Sequence, residues 1–431
     1  MGQGLPERQW PAYRGYMSSG VLDNVNLPDS FDISGMFNVR WKTEVPGLGI
    51  SSPVIWDSKL FITTAVSGND KFGFKPGIYG DGVSVGDSSV HEWKVLCYEK
   101  STGKLLWSKT SHRGIPAIKR HPKSTHANPS VATDGRHVVA FFGSEGLYCY
   151  SMNGDLLWKK DFGVLKAVAF DYPSAEWEFA SSPIIYKNVV VVQCDVLENS
   201  FIAAFDADSG KQLWRTDRDD NPGWCTPNIY LYNGKPCVVV NGFSHSGGYD
   251  FNTGREIWRL SGGGDVPIPT PVLGNDLIYL NSAHGKNSPV FAVKTSAAGN
   301  ISLKANETSN DYIQWSRPRG GSYLQSLLLY NKHLYNVSWN GTVICMDPET
   351  GREICKGKLG TAGSFIASPV AADGKIYIMG EEGDVYVIGS GDQFRILFHT
   401  SLREVCMSVP ALTDGLIIFR TQHYLIAVGK K

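Results

Sequence analysis

An eleven-residue phrase recurs at fixed internal offsets, and it restricts the fold more than any other feature of the chain. It reads AFDADSGKQLW at 204–214, CYEKSTGKLLW at 97–107, GYDFNTGREIW at 248–258 and CMDPETGREIC at 345–355. A second signal shares its beat. Segments that open on a small residue and Pro, or a close stand-in, begin near Ser51, Ala127, Ser181, Cys225, Pro269, Leu324, Ala367 and Ser408, which makes eight units. Where nothing is inserted the spacing is roughly 40–45 residues, the size of a four-stranded propeller blade.

Each unit has one grammar. A short apolar strand follows the Pro, which cannot donate a ladder hydrogen bond and suits a first strand position. A turn such as Asp134-Gly135, Asn233-Gly234 or Asp373-Gly374 leads into a second apolar run. The third strand carries the small-x-acidic part of the phrase, and the fourth ends near its Trp. Between them, the acidic residue and Ser/Thr-Gly form a tight turn in which Gly supplies a positive φ. The Trp is then expected to lie across the junction with a neighbouring blade, where truncating it would cost about 3–5 kcal/mol. Trp41, Trp107, Trp158, Trp214, Trp258 and Trp315 take this structural docking role, with Cys355 as a weakened copy.

The last unit, SVPALTDGLIIFRTQHYLIAVGKK, holds only three strands. The unpartnered stretch NVRWKTEV at 38–45 carries Trp41 at the fourth-strand position. The expected fold is therefore all-β: one eight-bladed propeller over 1–431 with four-stranded antiparallel blades, the N-terminal strand closing the last. Closure of this kind leaves no open sheet edge between first and last blades. Composition agrees, since 47 Gly, 12% aromatic and only 19% charged residues suit short strands and tight turns over long solvated helices.

Several function classes lose support. With 41 basic and 41 acidic residues there is no long-range attraction to nucleic acid or an anionic membrane. No apolar run reaches the length of a membrane span. The opening MGQGLPERQWPAYRG lacks a basic and apolar leader, so the chain reads as a cytoplasmic protein or as an exported one whose leader has been removed. A lipidated Cys lost with that leader would be the anchor. No G-x-S-x-G, Walker or H-E-x-x-H motif is present, and SGGGD at 261–265 follows a fourth strand, the wrong context for a phosphate cradle.

The pattern A-x-D-x-x-[ST]-G-x-x-x-W is similar to the tryptophan-docking motif of quinoprotein-type propellers. WPAYRG at 10–15, ASPVAADGKIYIMGEEGDVYVI at 367–388 and GSEGLYCYSMNGDLLWKKD at 143–161 also resemble the PQQ-like β-propeller repeat family, which includes the outer-membrane assembly factor BamB. That resemblance implies a binding scaffold of the bacterial cell envelope or periplasm, monomeric, engaging a protein partner. It also raises the alternative of a dehydrogenase-like enzyme. The superfamily's enzymes bind pyrroloquinoline quinone with Ca²⁺, and their alcohol-oxidising branch carries a disulfide between adjacent cysteines. This chain has no Cys-Cys pair and only small insertions, so no cofactor is expected.

Eight cysteines show no C-x-x-C spacing. Cys97 and Cys345 occupy the repeat slot of Ala204, Gly248 and Ala292, which suits a buried free thiol acting as a small hydrophobe. His121 and His126 in KRHPKSTHANP read as part of a solvated basic loop. The insertions 66–92, 109–126 and 161–179, with SRPRGGSY at 316–323, are expected on one face of the ring. The insertion 296–311 should leave from the other face as plain surface loop. Near the axis, at the starts of first strands, the candidate funnel mouth comprises His126, Asn128, Glu178, Trp224, Arg319 and Tyr323, with Ser51 and Phe365 beside them. An enzyme would use His126, Glu178 and Arg319.

Overall fold

Each small-Pro step opens a short strand, and three more follow it in a meander. The computed structural model describes residues 4–69, 71, 73–77, 83–169, 172–284, 287–360 and 363–430. Parts of two expected insertions (70, 72, 78–82 and 170–171) lie outside the described residues. Blade one is Val54–Trp56, Lys59–Ser67, His91–Glu99 and Leu105–Gly114, each strand antiparallel to the next. Blades two to seven begin at Ala132–Thr133, Ile184–Tyr186, Asn228–Tyr232, Val272–Gly274, Leu328–Tyr330 and Val370–Ala372. Blade eight takes Ala411–Thr413, Leu416–Arg420 and Tyr424–Val428 from the C-terminal end and Val39–Glu44 from the N-terminal end. Val39–Glu44 pairs antiparallel with Tyr424–Val428, placing Trp41 opposite Ala427. The protein is an eight-bladed propeller, closed as the sequence predicts.

Inner strands are buried on both faces because each blade is flanked by two others. Val189–Cys194 is buried from its second residue onward. Outer strands alternate: in Leu156–Lys160 the central Trp158 is the buried position.

The recurring letters of the phrase each have a contact to explain them. Asp206 accepts from the Ser209 N–H at 2.8 Å, and Gly210 turns the chain with φ +68°. Trp158, from the preceding blade, lays its ring on that Gly, where an added Cβ would meet Cδ2 at 2.6 Å. Its Nε1 donates to the Ala207 carbonyl at 2.7 Å. Trp41, Trp107, Trp214 and Trp315 do the same to Lys100, Met152, Phe251 and Pro348 at 2.8 to 3.2 Å. The small residue has a separate cause. Ala204 faces Trp214 across the sheet and Gly248 faces Trp258, whose Nε1 would stand 2.1 Å from a Cβ there. A larger side chain would displace the indole.

Blade four departs from the pattern in two ways. Trp258 packs between blades four and five as expected, but its Nε1 does not bond the next blade's turn; it donates to the Tyr230 hydroxyl of its own blade at 3.0 Å. The cause is the 296–311 insertion, which replaces the receiving turn. Nor is that insertion plain surface loop, because Gly299–Asn300 adds a fifth strand parallel to Trp258–Arg259 and Ile301 is buried.

Sequence reading also missed what precedes the closing strand. Residues 10–26 cross the end of the ring that carries the first-to-second-strand turns. Trp10 bridges Ile55, Pro11 O accepts from Thr133 N, and Met17 O accepts from Asn228 Nδ2. Arg14 Nη2 donates to Leu327 O at 2.8 Å, and the Asp373 carboxylate accepts backbone N–H groups of Asn24, Val25 and Asn26. This segment therefore touches blades one, two, four, six and seven, and Val25 O reaches Gly415 of blade eight. It stoppers the central channel from below.

Candidate functional site

A belt of hydroxyls surrounds the axis at the first-strand starts. Ser52 N–H donates to Ser130 Oγ at 2.8 Å, Ser130 N–H to Ser182 at 3.0 Å, and Ser182 N–H to Thr226 at 3.1 Å. Thr270 N–H donates to Ser326, Ser326 N–H to Ser368, and Val409 N–H returns to Ser52. Strand starts thereby bond to one another around the ring where the sheets themselves cannot. Most of these hydroxyls sit beside the Pro of the repeat, so the small residue of the small-Pro step is a side chain with its own task. Val409 supplies no hydroxyl, and Thr270 Oγ1 is buried without a partner among the described residues.

Above the belt lies a cavity of about 330 Å³. Tyr13 of the N-terminal segment forms part of its floor, bonded to Ser368. Its wall is aromatic. Trp177 and Trp224 stand 5.5 Å apart, His121 meets the edge of Trp177, and His284 stacks on Tyr323 at 5.4 Å. The insertions roof it. Lys75 N–H donates to Pro122 O, Ser84 Oγ to Glu176 O, and Lys119 N–H to Glu176 Oε2, so three insertions are tied together. From there Lys123 and the Gly77 N–H both reach the buried Glu381 carboxylate on blade seven. The roof is thereby latched across blade eight to blade seven.

Asn128, Glu178, Trp224 and Tyr323 line this cavity. Glu178 has φ +68°, a left-handed conformation that is strained for a residue with a side chain. Trp224 Nε1 holds its carbonyl at 2.8 Å, and its Oε1 accepts from the Phe179 N–H. The other oxygen is bonded to His126 Nδ1. Burial pushes the Glu178 carboxyl well up from its ordinary range and His126 down to about 4, so both partners are driven toward their neutral forms. His91 packs on His126 at 5.0 Å and is lowered by burial as well.

The other sequence candidates fall elsewhere. Arg319 is exposed and lies outside the lining. Ser51 faces away from the cavity to hold the buried Arg420, and Phe365 packs on Gly341. The loop around His121 and His126 is not solvated: Arg120, Thr125 and His126 are all buried, because the roof closes over them. Asn128 explains why, since its Oδ1 accepts from Thr125 N–H at 2.8 Å and its Nδ2 donates to Phe179 O. Tyr13, Trp177 and Glu381 were missed. Tyr13 and Trp177 lie outside the repeated strands and Glu381 in a turn between two of them, so periodicity had nothing to say about where their side chains go. All eight cysteines are free thiols, with Cys355 the least buried.

Comparison with known proteins adds the family. The sequence model of the family described as outer membrane protein assembly factor BamB matches residues 91–357. The chain is 25% identical over 228 residues to the outer membrane protein assembly factor BamB of Salmonella typhimurium, covering 51% of this chain and 53% of that protein. It thus spans about half the length of the curated relatives it matches. Among solved structures, BamB from Moraxella catarrhalis aligns with TM-score 0.54 and 12% identity over 85% of this chain and 98% of that one. A quinohemoprotein alcohol dehydrogenase from Comamonas testosteroni aligns with TM-score 0.63 and 12% identity over 99% and 81%. At such identity the structural likeness speaks for the fold alone.

Proposed function

Because the chain belongs to the family of the outer membrane protein assembly factor BamB, we propose that it is a non-catalytic scaffold that binds a protein partner in the bacterial cell envelope. One observation carries the reading beyond the family. The three roofing insertions expose Val83, Ile115, Val164 and Tyr172, at 57 to 69% of their surface. Side chains of this kind on cross-braced loops suit a recognition surface better than a solvent face. The test compares the wild-type chain with a variant changed to Ser at these four positions, each used to capture proteins from envelope extracts. Capture of outer-membrane assembly proteins by the wild type and its loss in the variant is the expected result. Equal capture by both would place the partner surface elsewhere.

A second reading, a ligand-dependent enzyme in the cavity, has the strained Glu178 and its His126 partner in its favour. A quinone held with Ca²⁺ suits the wall poorly. Calcium takes about six to eight oxygen ligands, whereas Glu178 is the one carboxylate among the described lining residues and already has two partners. No group of three metal-binding side chains converges among the described residues. Lys123, the cation at the wall, is committed to Glu381. Thermal unfolding with pyrroloquinoline quinone and Ca²⁺ checks this. We expect no shift. An upward shift near the value for ligand at about 100 times its Kd, about 2.7 kcal/mol, would put the enzyme reading ahead of the scaffold.

A further inference from the structure

Blade six departs from the repeat at one cross-strand position. Where other blades set a small residue against Trp, Cys345 lies directly opposite Cys355 in the antiparallel register. Both side chains pack in the cluster between blades six and seven, and Cys345 Sγ lies 3.7 Å from the Gly391 carbonyl. The space that a Trp would fill toward the next blade is taken from the other direction. Phe394 of blade seven reaches back onto Gly357, where a Cβ would stand 2.0 Å from its ring. The junction is therefore closed without a Trp on the fourth strand of blade six.

We propose that Cys345 and Cys355 are an oxidation site that closes to a disulfide across blade six. Directly opposed residues of an antiparallel pair have Cα atoms about 4.5–5.5 Å apart, inside the range a disulfide spans. A register shift beside Cys345 adds local twist that helps bring the Cβ atoms together. None of the other six cysteines is in register with another cysteine. Cys355 is half-buried while Cys345 is buried, so a small disulfide oxidant meets Cys355 first. Its sulfur attacks the oxidant, forming a mixed disulfide and releasing one thiol with the Cys355 proton. Cys345 then attacks the Cys355 sulfur, releasing a second thiol that carries the Cys345 proton. The product ties the third strand of blade six to its fourth at the place where other blades are held by Trp. This inference does not depend on the scaffold reading.

The test uses the full chain and oxidised glutathione, followed by denaturation, alkylation and mass mapping. Wild-type protein should fall from eight alkylatable thiols to six, with one peptide pair linking 345 to 355 and no retained glutathione. Cys345→Ala, which installs the residue other blades carry at this slot, should instead retain glutathione on Cys355, because the resolving thiol is gone. Cys355→Ser should keep all seven thiols. Eight free thiols in the oxidised wild type, stable glutathione on wild-type Cys355, or two thiols lost from Cys355→Ser would each overturn the assignment.

Discussion

Glu145 stands near Glu178, in surroundings that favour its protonated form. Its Oε1 accepts from the Ala117 N–H at 3.0 Å, while Oε2 is buried without a partner among the described residues. Burial first, and then repulsion from Glu178 whenever that carboxyl ionises, push its own carboxyl up to about 8. The folded state therefore holds this proton more tightly than the unfolded chain. Its contribution is fully present below about pH 4.5 and is lost as pH rises toward 8. Glu145→Gln keeps the acceptor for Ala117 and removes the titration. Melting temperature measured from pH 5 to 8 should fall less steeply in the variant, the difference being on the order of a few kcal/mol at most. Parallel curves would mean that Glu145 does not hold its proton. At this scale the sequence was half legible. Asn128, Glu178, Trp224 and Tyr323 could be placed because first-strand starts converge on the axis in any propeller. Arg319 could not, since nothing in a loop such as SRPRGGSY encodes its path. The belt hydroxyls were visible as small residues beside Pro, yet their bonds to the next blade exist only once the ring has formed.

Among elements, the N-terminal 45 residues do two jobs. Val39–Glu44 completes blade eight, and the segment before it stoppers the channel. Deleting 1–45 leaves Tyr424–Val428 with an unpaired edge and removes Trp41 from the Lys100 carbonyl. The loss should be at least about 3–5 kcal/mol, the worth of a buried Trp alone. Deleting only 1–30 spares the strand and should cost less. Urea unfolding of both truncations measures this, and an unchanged midpoint for the longer one would contradict the closure. The closing strand was readable because its Trp matched a repeat position that lacked an owner. The stopper was not, because an extended segment that bonds through its backbone to several blades leaves no periodic trace. For the same reason the fifth strand of blade four passed for a loop: Gly299–Asn300 owes its pairing to a parallel neighbour rather than to its own propensity.

Taken whole, the molecule presents a ring plugged below and roofed above, so its contacts with other macromolecules belong to its outer surface and its roof. That is why partner capture and ligand-induced stabilisation probe different parts of it. The closure of blade eight has one more consequence, which concerns time. Trp41 faces Ala427, so the fourth strand of that blade is made first and its three companions last. A ribosome adding about 5–20 residues each second needs on the order of 20–80 s to bridge that interval. Throughout it, seven blades can form in turn while the earliest strand stays unmated. Birth of this fold therefore ends as a single late event, and whatever shelters the nascent chain until then guards its beginning, not its end.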